Sequence, residues 1–122
     1  MFIVISPLNP DPLYKQVTDQ IRDAIADGSL SAEEKLPSIR EMSRELKISP
    51  ITIKRAFSDL ENGGYIITRA GMGTYVADIN RQRLREEKLS EIREELDRLL
   101  VAGRRFDISG SDMIRMIQEQ EK

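Results

Sequence analysis

The chain has 122 residues, 39% of them hydrophobic, with 19 Lys and Arg against 21 Asp and Glu for a formal net charge of −2. It contains no Cys and no His, which excludes disulfides, thiolate nucleophiles and imidazole metal sites and removes the commonest general base. The length suits one domain with a small extension, and 33% charged residues fits a helix-rich globular chain. Residues 1–6 are apolar but brief and lack a basic leader, so they do not read as a targeting segment. Phe2 to Ser6 reads as a short strand or an ordered arm. No run approaches the roughly 18 apolar residues of a membrane span, so a cytoplasmic protein without membrane association is expected.

Pro7, Pro10 and Pro12 break regular structure, and Asp11 is placed to cap a first helix with Pro12 in its opening turn. Leu13, Val17, Ile21, Ala24 and Ile25 recur at helical spacing, predicting a helix that stops at Gly28. Leu30 to Pro37 reads as a loop. Ser38-Ile39-Arg40-Glu41 has the form of a capping box opening a short second helix that buries Ile39, Met42 and Leu46. Lys47 to Pro50 is a tight turn; Ser49 caps a third helix with Pro50 at its first position, and Gly63-Gly64 ends it. Ile53, Ala56, Phe57 and Leu60 form its inner stripe. Tyr65 to Thr68 and Thr74 to Val76 predict a hairpin with a glycine-rich tip.

From Asn80 the chain becomes highly charged, predicting a helix over residues 81–102 that Gly103 ends and a last helix over 111–120. Leu89, Ile92, Leu96 and Leu99 recur at spacings of 3, 4 and 3, an apolar seam, while Met113, Ile114 and Ile117 share one side of the last helix. Two thin helices cannot bury both stripes alone, which points to homodimerisation through Leu89, Ile92, Leu96, Leu99, Met113 and Ile117; the alternative is that the seam packs only within its own chain. The expected organisation is residues 1–78 as one domain and 79–122 as a helical dimerisation tail.

Two short tandem helices followed by a two-stranded hairpin describe a winged helix-turn-helix, an α+β but mostly α fold whose third helix fits the major groove of DNA. Charge supports this locally. Residues 1–37 hold three basic against six acidic residues and residues 77–122 hold ten against eleven, whereas residues 38–76 hold six against four. A DNA binder needs a positive face, not a positive total. On the third helix Ile51, Thr52, Lys54, Arg55 and Ser58 point away from the inner stripe. Exposed Lys and Arg are usually a solvated face, but an outward Ile51 suits a thymine methyl, unless it packs on the turn. Arg40 opposes the dipole of the second helix, so a phosphate or base contact would account for it, as would a local pair with Glu41 or Glu45. Ser38 serves as a cap or, beside the helix-end amides, as a phosphate contact. Gly71 and Gly73 satisfy a hairpin tip and would also let a wing approach DNA, with Arg69 supplying charge.

The segments Pro12 to Val17, Leu36 to Glu41, Ile48 to Ala56, Leu60 to Ile66 and Arg69 to Val76 resemble, in order, those of GntR-family transcription regulators, over about residues 8–78. The resemblance implies DNA contacts at Arg40, Ser49, Thr52, Lys54 and Gly71. The chain departs from the family at two sites: at the start of the third helix Pro50 and Ile51 stand where many members carry Arg and a hydroxyl residue, and at the wing tip Met72 replaces a frequent basic residue. About 45 residues follow the wing, too few for a large effector domain, and the tail resembles the YtrA-like subfamily, which dimerises through it. The expectation is a homodimeric, sequence-specific regulator of double-stranded DNA, a repressor at a palindromic operator, without cofactor or metal. A small-molecule effector is left open, since no residue nominates itself. The rival readings are a winged-helix protein-interaction module that binds no duplex, and an enzyme built on carboxylates.

Overall fold

Two glutamines on the first helix hold the start of the chain in place. Gln16 is 5% exposed. Its Oε1 accepts from the Ser6 N–H at 3.1 Å and its Nε2 donates to the carbonyls of Ser6 and Asp11. Gln20 exchanges a similar pair with the Val4 backbone, at 2.9 and 2.8 Å. The segment is therefore an arm whose polar groups are satisfied by side chains, with no strand among its described residues. The computed structural model describes residues 3–121; Phe2, the first residue of the expected arm, lies outside them.

The chain divides into two compact units between Arg81 and Gln82. The first contains α1 (Leu13–Asp27), α2 (Ile39–Leu46), α3 (Pro50–Asn62) and the antiparallel strands β1 (Ile66–Arg69) and β2 (Gly73–Val76). α3 is the central element, packing on α1, α2 and β1. Val17, Ile21, Met42, Ile53, Leu60, Ile66 and Val76 are the most deeply buried large side chains. Each contributes about 1.5–3 kcal/mol of burial, so three helices and the hairpin share one core. Register pairs Ile66 with Val76, which puts one buried side chain of each strand on the core face.

Several local readings need correction. Asp11 does not cap α1: the Pro12 carbonyl takes the first helical amides, while the Asp11 carboxylate pairs with Lys15 at 3.4 Å. Leu13 leaves the inner stripe and is 43% exposed, because Gln16 and Val17 occupy the buried face of that turn. At α2 only half of the capping box forms: Ser38 Oγ accepts from the Glu41 N–H at 3.1 Å, and Glu41 does not reach back. Ile39 and Leu46 are half-buried, leaving Met42 as the buried anchor of α2.

The segment expected as a plain loop lies along the outer edge of β2. Lys35 bridges to Tyr75, and the Leu36 N–H donates to the Thr74 carbonyl at 2.8 Å. The Val76 N–H donates to the Glu34 carbonyl at 2.8 Å, and the Glu33 N–H to the Val76 carbonyl at 2.9 Å. These bonds satisfy an edge that would otherwise be open, and they bury Leu36.

The second unit holds most of α4 (Arg81–Arg104) and all of α5 (Gly110–Gln120). α4 does not end at Gly103 but runs through it. A Cβ at Gly103 would lie 2.6 Å from Met113 Cε and 2.9 Å from the Ile108 carbonyl, so the glycine permits α5 to cross closely. The turn is made by Asp107, in the left-handed region with φ 62°. Ser109 then opens α5 one residue ahead of its expected start, in a full capping box with Asp112. The Ser109 backbone N–H and hydroxyl hold the Asp112 carboxyl below its ordinary value. α5 buries no residue, and α4 buries only Leu84 and Gly103. Among the described residues no helix is long and apolar enough to cross a membrane.

Candidate nucleic-acid interface

The outward side of α3 is set by its cap and its buried stripe. Ser49 Oγ accepts from the Ile51 N–H at 3.2 Å, and Pro50 occupies the first position, so the helix start is fixed where the next side chains emerge. Ile53, Ala56, Phe57 and Leu60 face inward. Ile51, at the second position, is 80% exposed, which rules out packing on the turn. Thr52 is half-buried, and Lys54, Arg55 and Ser58 are exposed.

The basic residues on this unit differ in how they are held. Arg55 lies over the Tyr14 ring with its guanidinium carbon 3.7 Å from the centroid, an arrangement that keeps its charge while limiting its rotamers. Lys54 has no hydrogen bond or ion pair among the described residues. Arg40 is exposed at the second position of α2 and, among the described residues, pairs with neither Glu41 nor Glu45. The local explanation for its unfavourable place near the helix start is thereby removed.

Ser38, Arg40, Arg69, Gly71 and Gly73 come together along a cleft of about 560 Å³ between the α2 start and the hairpin tip. Gly71 (φ 72°) has open space where a Cβ would stand, as a tip exposed to a partner requires. Gly73 (φ 123°) is different: a Cβ there would lie 2.8 Å from Lys35 Cε. Arg69 is not a free cation. Its Nη2 donates to Glu33 Oε2 at 2.5 Å, and its guanidinium lies over Tyr75 at 4.5 Å. Met72 at the tip is 60% exposed.

Sequence reasoning missed Tyr14, Glu33 and Lys35 as members of this surface. Each is brought in by tertiary structure: Glu33 meets Arg69 across 36 residues of chain, and Lys35 joins through its bridge to Tyr75. Tyr14 carried a signal only as an aromatic residue in the first turn of α1.

In the second unit, Ile92, Leu96, Leu99 and Ile117 are 44%, 40%, 55% and 49% exposed, and Leu89 and Met113 are half-buried. Leu96, Leu99, Met113 and Ile117 line an apolar groove of about 410 Å³ together with Phe106 and Met116. Leu89 and Ile92 lie outside it. Among the described residues no group of acidic side chains could hold a metal ion.

A helix presented outward by its neighbours, with a glycine-tipped hairpin beside it, is the architecture of the winged-helix DNA-binding proteins. The particular lineage follows from sequence comparison: the profile of the gntR family of bacterial regulatory proteins matches residues 13–76, and the chain belongs to that family. The HTH-type transcriptional repressor YtrA of Bacillus subtilis (strain 168) is 33% identical over 99 residues, covering 81% of this chain and 76% of its own. A solved structure described as a transcriptional antiterminator from Listeria monocytogenes EGD-e matches with a TM-score of 0.78 at 27% identity, over 100% of this chain and 90% of that one. The DNA-binding domain of AraR in complex with operator ORX1 matches with a TM-score of 0.54 at 32% identity, over 61% of this chain and 92% of that one. These relatives are regulators rather than enzymes.

Proposed function

We propose that this protein is a cytoplasmic transcriptional repressor that binds a palindromic operator as a homodimer and occludes a promoter. Residues 1–78 serve as the DNA-binding domain and residues 79–122 as the dimerisation tail. The observation that carries the DNA reading is the outward face of α3, where Ile51, Lys54 and Arg55 are solvent-exposed opposite a fully buried stripe. Ile51 and Thr52 sit in the first turn, the part of a recognition helix that meets base edges. Lys54 and Ser49 lie close enough along the helix to share that groove, and Arg55 holds the flanking backbone. Arg40, Ser38 and the Gly71–Gly73 tip line the cleft that would follow the sugar-phosphate edge.

Dimerisation is supported by the second unit itself. A helical pair in which α5 buries nothing, with an apolar groove along both helices, lacks a core of its own. A second copy would supply it and set two recognition helices about one helical turn, roughly 34 Å, apart or a multiple of it. The protein acts in this role without cofactor or metal and has no catalytic part.

Selection of bound duplexes from a random pool tests the proposal. The expected result is enrichment of an inverted repeat, with affinity that falls steeply with salt. Failure to enrich any sequence, together with no binding to mixed duplex at low salt, would favour a winged-helix protein-interaction module instead.

A further inference from the structure

From the way charges are paired around the hairpin, we infer that Lys35, and not Arg69, is the wing's DNA-phosphate contact, and that Glu33 holds Arg69 out of that role. The inference rests on the DNA reading above and goes one step further, to which cation at the wing carries it. Arg69 is the cation that a hairpin sequence nominates, since it stands beside the glycine tip. In the fold its Nη2 is occupied by the Glu33 carboxylate and one face of its guanidinium by the Tyr75 ring. A phosphate approaching Arg69 would approach Glu33 as well. The two side chains form a pair of zero net charge, and only net positive charge releases counterions.

Lys35 has the opposite situation. It has no acidic partner among the described residues and lines the same cleft as Ser38, Arg40 and Gly71. Its backbone is fixed by the bridge to Tyr75, so the side chain leaves from a rigid edge rather than a loose loop. Its stem passes over Gly73, where Cε would come within 2.8 Å of a Cβ. The missing Cβ at Gly73 thus makes room for the lysine to lie across the wing, which gives that glycine a purpose beyond its φ of 123°.

The experiment is a salt titration of the full-length protein on a mixed-sequence DNA duplex, comparing wild type, Lys35→Gln, Glu33→Gln and the double variant Glu33→Gln with Arg69→Gln. Each phosphate contact contributes about 0.9 to the slope of log affinity against log salt. Lys35→Gln is expected to lower the slope by about 0.9 per chain, about 1.8 for a dimer, and so to weaken dimer binding about sixtyfold at 0.1 M salt relative to 1 M. Replacing Glu33 and Arg69 together by Gln removes the pair without changing net charge and should leave the slope within error. Glu33→Gln, which frees Arg69, should raise it by up to about 0.9 per chain. A Lys35→Gln protein with the wild-type slope, or a loss of slope when Glu33 and Arg69 are replaced together, overturns the assignment while the DNA reading stands. A wild-type protein with no salt-dependent binding sinks both. Unchanged thermal melting of the variants keeps misfolding out of the comparison.

Discussion

Replacing Leu99 with glutamate should turn the proposed dimer into a monomer without unfolding the first unit. Leu99 is 55% exposed and lines the apolar groove of the second unit. Fully burying a leucine side chain contributes about 1.5–3 kcal/mol, so roughly half of that, about 1 kcal/mol per chain, remains for a partner to supply. A two-fold interface counts the residue twice, giving about 2 kcal/mol. Glutamate adds the desolvation of two unpaired carboxylates, several kcal/mol after relaxation. The sum, about 5 kcal/mol or more, raises the dimer Kd by more than about a thousandfold. Light scattering of the variant at micromolar concentration should give a monomer mass, while the melting of residues 1–81 stays at its wild-type temperature. Operator affinity should fall by about two orders of magnitude or more, because linked half-sites gain from effective concentration. A Leu99→Glu protein that stays dimeric and binds its operator as wild type does would show that the tail is not the interface.

The exposed Ile51 should read a thymine methyl: replacing one operator thymine with deoxyuridine, which removes only that methyl, should weaken wild type several-fold and leave Ile51→Ser indifferent. Equal sensitivity of both proteins at every thymine would contradict this. Tyr14→Leu should free Arg55 from its stack, a loss of about 0.5–1 kcal/mol in DNA affinity, and Arg55→Ala should abolish the effect of Tyr14→Leu in a double-mutant cycle. The Asp112 carboxyl is held below its ordinary value of 3.8 by the Ser109 backbone N–H and then its hydroxyl. The ionised group therefore stabilises the start of α5 above the unfolded value, and that contribution is lost as pH falls through the lowered folded value. Helicity of the wild type should drop as pH falls below the ordinary carboxyl value, and Asp112→Asn should remove that step from a circular dichroism titration.

The parts of the fold visible in the sequence are those fixed within a few residues. Ser49 and Pro50 at the start of α3, Gly28 after α1 and the inner stripe at Ile53, Ala56, Phe57 and Leu60 are local choices that the structure keeps. The failures have a common cause. Glu33, Glu34 and Lys35 lack any alternation of apolar and polar residues, yet they lie along β2 because that edge needs partners and Leu36 needs burial. Gly103 looks like a helix stop, but small size serves a close helix crossing equally well, and only the position of Met113 decides. Asp11 looks like a cap, but its carboxylate is turned to Lys15, and the backbone of Pro12 meets the need.

The same distinction governs the candidate site. Counting residues by segment makes positions 38–76 the basic part of the chain, including Arg69 and excluding Lys35. Pairing in three dimensions reverses both assignments. Arg69 is neutralised by a glutamate 36 residues away, whereas Lys35 is carried by a strand-like edge into the cleft beside Arg40. Arg55 keeps its charge because its partner is a ring, not a carboxylate. On the proposed DNA reading, the positive face would be Lys35, Arg40, Lys54 and Arg55, four cations drawn from three separate stretches of sequence. Their joint contribution to the salt slope, about 3.6 per chain if each meets one phosphate, is a property of the folded arrangement that net charge by segment does not contain.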